Sequence, residues 1–348
     1  MSSKPVTKDA KRARMGAEED LQGARFWLLH IVIRGRYGRW LTGVALFAAL
    51  FSLFGIADAA TAQGASRLGL GVALFFPLIL AYIVPIHQLI IARSLAALGS
   101  LAECFPDLSS EIEYCRRRLT VKSRAWIGRT LAIGLAAGIG HNALLLAGNG
   151  LAAAVTHPPT LLTMILTGIV WIVMTAAISS LVENAVLFAR LGTRVPIEPL
   201  RLRQLTPFGS VAVSSTLAMI GAQAAFPFLF AEADVSYVTY VPGLVATAAP
   251  MVYLFAAPVW PVHRRIVQAK QSEIERLDRM LATEQQAPDK ATAYAELAPL
   301  LIYRRELLAS GEWPFDTSVM GRLALYLIIP PLTWVGAALI EMLLDTAL

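Results

Sequence analysis

The sequence predicts an all-α polytopic membrane protein. Seven transmembrane helices are expected, with the N-terminus in, the C-terminus out, and a cytoplasmic helical hairpin before the last span. Three observations carry this. Of 348 residues, 56% are hydrophobic and 16% charged, where an ordinary soluble domain is about 25% charged, and the mean hydropathy is +0.59. The apolar residues come in blocks of about 20 or more, the length that crosses a bilayer as a helix, without the alternating ten-residue segments of a barrel. The Lys and Arg residues fall between those blocks, where membrane topology places them, so the net charge of +6 is no signal for nucleic acid.

Taken in order, residues 1–24 are polar and basic, with Lys4, Lys8, Lys11, Arg12 and Arg14, and are predicted to be disordered. This charged region is too long for a cleavable signal peptide, and no small-residue cleavage site closes a short apolar core. Residues 25–38 are too short to span. Their aromatics and arginines suit a helix lying in the membrane interface, or a basic flank of the first span. Residues 39–261 form a six-span membrane domain, with spans at about 40–57, 68–92, 130–153, 160–182, 208–231 and 237–259. The third carries Gly134, Ala136, Ala137, Gly138 and Gly140, a small-residue face that lets helices approach in lipid. The sixth helix is expected to run on past Pro258 and Pro261.

Residues 262–310 read as two amphipathic helices, the cytoplasmic hairpin. Ile274, Leu277 and Leu281 form an apolar stripe on the first of them. This stripe is a candidate for contacts between subunits, or for packing on the second helix of the same hairpin. Residues 311–348 comprise a break, Gly311-Glu312-Trp313-Pro314-Phe315-Asp316, and a seventh span at 319–344. Pro330 and Pro331 near its middle are candidate hinge residues, since each removes a helix hydrogen bond. With the N-terminus inside, 1–39, 93–129, 190–207 and 262–318 are cytoplasmic, and of the 30 Lys and Arg residues only Arg67 falls outside. The absence of an N-x-S/T sequon fits a bacterial inner membrane.

Chemistry-bearing motifs are scarce. No phosphate-binding loop, zinc-protease helix or nucleophile elbow occurs. No catalytic residue, metal ligand set or cofactor site is assigned, and the chain is not expected to be an enzyme. Cys104 and Cys115 read as free thiols. Ionisable groups inside the membrane are the default functional hints. His87 lies near the inner end of the second span. His141, followed by Asn142, lies near the middle of the third and is a candidate intramembrane polar site, with a packing hydrogen bond as the simpler role. Glu183 is expected to pair with Arg190 and Arg194.

In order of spans, the cytoplasmic extension of the sixth helix, the Trp313-Pro314-Phe315 break and a final span, the chain resembles the insect chemoreceptor-type seven-transmembrane ion channels. The segments around Glu312-Trp313-Pro314-Phe315-Asp316 also resemble uncharacterised prokaryotic membrane proteins. The channel resemblance implies four subunits joined through a cytoplasmic anchor, 262–310 here, with the last helix lining the pore. Thr333, Ala337, Glu341 and Asp345 recur every four residues on one side of that helix, the expected pore-lining stripe, with the solvated end of a helix leaving the membrane as the simpler role of Glu341 and Asp345. A ring of Glu341 at the outer mouth would favour cations. The leading expectation is therefore a homo-oligomeric, tetrameric cation channel opened by an unknown stimulus or ligand. Its partners are further copies of itself, the lipid bilayer and permeant cations. A non-conducting sensor or scaffold whose hairpin binds a partner is the alternative. A seven-span transporter is the third reading, one that no internal repeat supports.

Overall fold

The computed structural model describes residues 16, 20–21, 24–35, 37–61, 69–146, 156–230, 237–285, 290–315, 321 and 328. Among them every regular element is a helix: α1 (Trp27–His30), α2 (Gly38–Ala59), α3 (Leu70–Cys104), α4 (Ser109–Thr120), α5 (Arg124–Leu146), α6 (Pro158–Gly192), α7 (Thr206–Gln223), α8 (Pro227–Phe230), α9 (Tyr237–Gln285) and α10 (Lys290–Ala309). Six stretches among the described residues are long and apolar enough to cross a membrane: α2, α3, α5, α6, Leu202–Leu229 through α7 and α8, and Tyr240–Thr283 in α9. The expected seventh span at 319–344 lies outside the described residues except for Gly321 and Ile328.

Local chemistry sets where several helices begin. Ser123 Oγ accepts the backbone N–H of Trp126 at 3.1 Å, which satisfies one of the donors orphaned at the start of α5. Pro158 and Pro159 open α6 and Pro207 opens α7, positions where the missing N–H costs nothing. The helices overrun the bilayer. At 1.5 Å per residue, α3 and α6, each of 35 residues, are about 52 Å long, against a hydrocarbon core of about 30 Å. The 49 residues of α9 reach about 73 Å. Pro242, Pro250, Pro258 and Pro261 lie inside α9 without ending it, so the sixth span does continue into the charged segment.

The hub is α3, packed on α2, α4, α6 and α7. The small-residue face of α5 seats it on α6. Its buried residues are Thr130, Gly134, Gly138 and His141, a single stripe. A Cβ at position 134 would stand 2.7 Å from Ile172 Cα, and one at 138 would stand 2.9 Å from Gly168 Cα. Only glycine permits this backbone contact, the source of helix association where lipid removes the hydrophobic drive. By contrast α2 is peripheral, with only Gly38, Thr42 and Phe54 buried.

The stretch 25–38 differs from the expected interfacial helix. Only Trp27–His30 within it is helical ahead of α2, and Phe26, Leu28, Leu29 and Val32 are buried in the protein's own core. Arg25 N donates to Thr120 O at 2.9 Å. The four buried side chains find protein partners instead of lipid, the short helix packing on α3 and α6, while Ile31, Ile33 and Tyr37 stay exposed. At the other end of the chain, α10 runs antiparallel to the C-terminal half of α9. Lys270 Nζ donates to Leu308 O at 3.2 Å and Ser310 O at 3.0 Å, and Arg304 Nε donates to Asp278 Oδ1 at 2.7 Å.

Candidate functional site

One end of the bundle gathers the cations of five elements and is called here the basic end. Arg39 opens α2, Arg118 closes α4, and Lys122 sits in the short link before α5. Arg194 follows α6, and Arg265 lies where α9 leaves the apolar stretch. Arg265 donates to Thr193 O at 2.7 Å and Val195 O at 2.6 Å, tying α9 to the end of α6. Arg194 pairs with Glu111 at 2.9 Å.

Within this end lies a buried ion cluster. Lys122 is 6% exposed, and its ammonium donates to Glu183 Oε2 at 2.7 Å and Arg118 O at 3.0 Å. Trp126 lies 5.1 Å away, its ring under the same ammonium. The other oxygen of Glu183 pairs with Arg118. The expected pairing of Glu183 with Arg190 and Arg194 is thus corrected. Those arginines lie two and three turns further along the same chain, whereas Arg118 at the end of α4 and Lys122 in the link after it bring two cations directly to the carboxylate. Burial pulls the Lys122 ammonium below its ordinary range, and the bond to Glu183 opposes that shift.

Beside the cluster runs a polar seam inside α3 and α6. Asn184 Nδ2 donates to Ser94 Oγ at 2.8 Å, and Ser94, Ser180 and Asn184 are all fully buried. His87 is 1% exposed, and neither ring nitrogen has a hydrogen-bond partner among the described residues. The edge contacts of Phe26 with His87 at 5.6 Å and with Trp126 at 5.4 Å close this seam from the N-terminal side. His87 also borders a cavity of about 30 Å³ shared with Tyr82 and Thr247.

His141 is, by contrast, fully satisfied. Trp171 Nε1–H donates to its Nδ1 at 2.8 Å. Nε2 therefore carries the proton and donates to Val238 O at 3.0 Å. One neutral imidazole thus joins α5, α6 and α9. Asn142 Nδ2 donates to Met164 O at 2.9 Å. His141 and Trp171 line an apolar cavity of about 70 Å³ with Phe75, Phe76 and Phe226. The threonines on its wall bond to their own helices, Thr167 to Thr163 O at 2.8 Å and Thr247 to Gly243 O at 3.1 Å, so it offers packing space rather than hydrogen bonds.

The third arrangement fastens the break after α10. His263 stacks on Trp313 with ring centres 3.9 Å apart, and its Nδ1–H donates to Glu312 O at 2.9 Å. Lys270 and Glu312 pair at 3.5 Å. Pro314 and Phe315 press on α7 so closely that a Cβ on Gly209 would lie 2.8 Å from Pro314 O. Of the proposed anchor stripe, Leu277 is buried by the chain's own residues, while Ile274 and Leu281 are half-buried. Thr333, Ala337, Glu341, Asp345, Pro330 and Pro331 lie outside the described residues.

Sequence reasoning missed the unpartnered state of His87, the Lys122–Glu183–Arg118 cluster and the sealing role of Phe26. A lysine two residues before a span and an arginine four residues earlier were the available signals for the cluster. Among the described residues, no three His, Cys, Asp or Glu side chains gather as a metal would require.

Fold and sites together define a helical integral membrane protein, with six helices among the described residues long and apolar enough to span a bilayer and a buried ion cluster at its basic end. Compared with known proteins, the chain matches no family model, no curated protein and no solved structure.

Proposed function

We propose that the chain is a homo-oligomeric cation channel of a bacterial inner membrane, its basic end in the cytoplasm and its last helix lining a pore between subunits. The observation that carries this reading is the fastening of 312–315. The segment is held by His263 and Lys270 of α9 on one side and by Gly209 of α7 on the other. A displacement of α9 and α10 is therefore passed directly to the start of the expected last span. The orientation rests on the concentration of Lys and Arg. Cation preference rests on Glu341, on Asp58 in the last turn of α2 and on Glu232 and Asp234 between the fifth and sixth spans, against a single Arg67.

The test is conductance in reconstituted bilayers. The expected outcome is a cation-selective current whose reversal potential shifts toward anions in Glu341→Lys, from a particle of four-fold symmetry. No current from folded protein under varied stimuli overturns the channel. A current indifferent to Glu341→Lys removes the acidic ring.

The non-conducting scaffold is favoured by one observation. Leu277 is already covered within a single chain, which removes the centre of the proposed subunit-contact stripe. If Leu281→Glu leaves the oligomer mass in detergent unchanged, the contact between copies lies elsewhere.

A further inference from the structure

The peripheral helix α2 leaves two adjoining hollows against the rest of the bundle. One, of about 780 Å³, is bordered by His30, Arg34, Arg39 and Gln88, with no carboxylate among its lining residues. The other, of about 440 Å³, is a groove between α2 and α3 walled by Val44, Phe47, Leu78 and Ile86. Arg39 borders both. Its Nε–H donates to Gln88 Oε1 at 3.0 Å, so the guanidinium is held at the junction instead of trailing into solvent.

We propose that these hollows together bind one anionic glycerophospholipid. Its phosphate lies at Arg34 and Arg39, and an acyl chain lies along the α2–α3 groove. The shape is that of an amphiphile, a cationic compartment opening onto an apolar one, with no acidic side chain among the described residues that line it. Guanidinium groups match phosphate oxygens in pairs. The depth also fits. Trp40, 77% exposed, and Tyr37, 62% exposed, flank Arg39, and exposed aromatics of this kind sit at headgroup level. Gly43 borders the groove where α2 and α3 come closest, since a Cβ there would stand 3.2 Å from Ala81 O. The site is independent of whether the protein conducts.

The experiment uses the full chain in mild detergent, with native mass spectrometry after equilibration with phosphatidylglycerol or phosphatidylcholine. Wild-type protein is expected to retain one phosphatidylglycerol per chain at least ten-fold better than phosphatidylcholine. Arg34→Gln, at an exposed position, and Arg39→Gln should each reduce that preference several-fold. Inorganic phosphate at matched ionic strength should displace neither lipid. The proposal is overturned by equal retention of the two lipids. Displacement by phosphate, which would mark a free-anion site, also overturns it. So does disulfide-linked dimer from Val44→Cys in membranes, which would put a second copy in the groove. Should Arg39→Gln alter the elution profile, Arg34→Gln alone decides, and unchanged selectivity in that variant counts against the site.

Discussion

At the scale of single residues, the two membrane histidines make opposite predictions. His141 bridges a Trp171 donor and a Val238 acceptor. Replacing it with Leu strands both, and each stranded buried group costs about 1–3 kcal/mol. His141→Leu should therefore lower the thermal midpoint in detergent. His87 has no such partners among the described residues, so His87→Leu removes a polar ring left unsatisfied by them and should leave the midpoint unchanged or raised. A marked drop would show that His87 is held by something other than packing. The ion cluster behaves differently again. Glu183→Ala leaves the buried Lys122 uncompensated, at a cost of about 3–5 kcal/mol, whereas Lys122→Met with Glu183→Leu should recover most of it, because replacing a whole buried pair is often neutral. A double variant as unstable as the single one would contradict that account. On α4, burial pushes the Cys115 thiol up to about 11, with Glu111 adding to the shift. The unfolded thiol ionises lower, near 8.5, so between these values the folded chain binds more protons. The linked stability is complete below the unfolded value and lost as pH rises toward about 11. Denaturation curves should show a steeper alkaline loss for wild type than for Cys115→Ala.

At the scale of elements, the seam between α5 and α6 and the fastening of 312–315 are the points where one substitution moves a helix. Gly138→Val would force a branched side chain into Gly168 Cα, 2.9 Å from where its Cβ would sit. Overpacking of this kind typically costs about 1–3 kcal/mol. Trp313→Ala acts on coupling instead. It removes the stack on His263 at a partly exposed site, so stability should change little. Proteolysis near 310–316 should nevertheless become faster, since the segment loses its hold on α9. Equal cleavage rates in the two proteins would mean that the remaining contacts at Lys270 and Gly209 suffice.

At the scale of the whole molecule, orientation is testable with the native thiols. Cys104 at the end of α3 is exposed and Cys115 is buried, and both lie at the basic end. A membrane-impermeant maleimide at pH 8 should modify Cys104 only when the reagent reaches the cytoplasmic face, and should spare Cys115 until the protein is denatured. Labelling of Cys104 from outside intact cells would invert the topology.

The sequence by itself determined the helical class, the six described spans, the run of the sixth helix through its prolines and the concentration of charge at one end. These are local properties. Helix length, apolar block length and loop charge are each readable from neighbouring residues, because a bilayer demands that every backbone group be satisfied within its own segment. The close seat of α5 was legible as well, since a glycine face announces itself without its partner. Only the tertiary structure decided which charges meet. Lys122 and Glu183 are 61 positions apart, and nothing in either segment names the other. It also decided that Phe26 seals a protein core and not a lipid interface, that His141 is satisfied while His87 is not, and that Arg39 joins a charged hollow to an apolar one. Each of these depends on how separate helices come to lie side by side, and pattern along a chain carries no record of that.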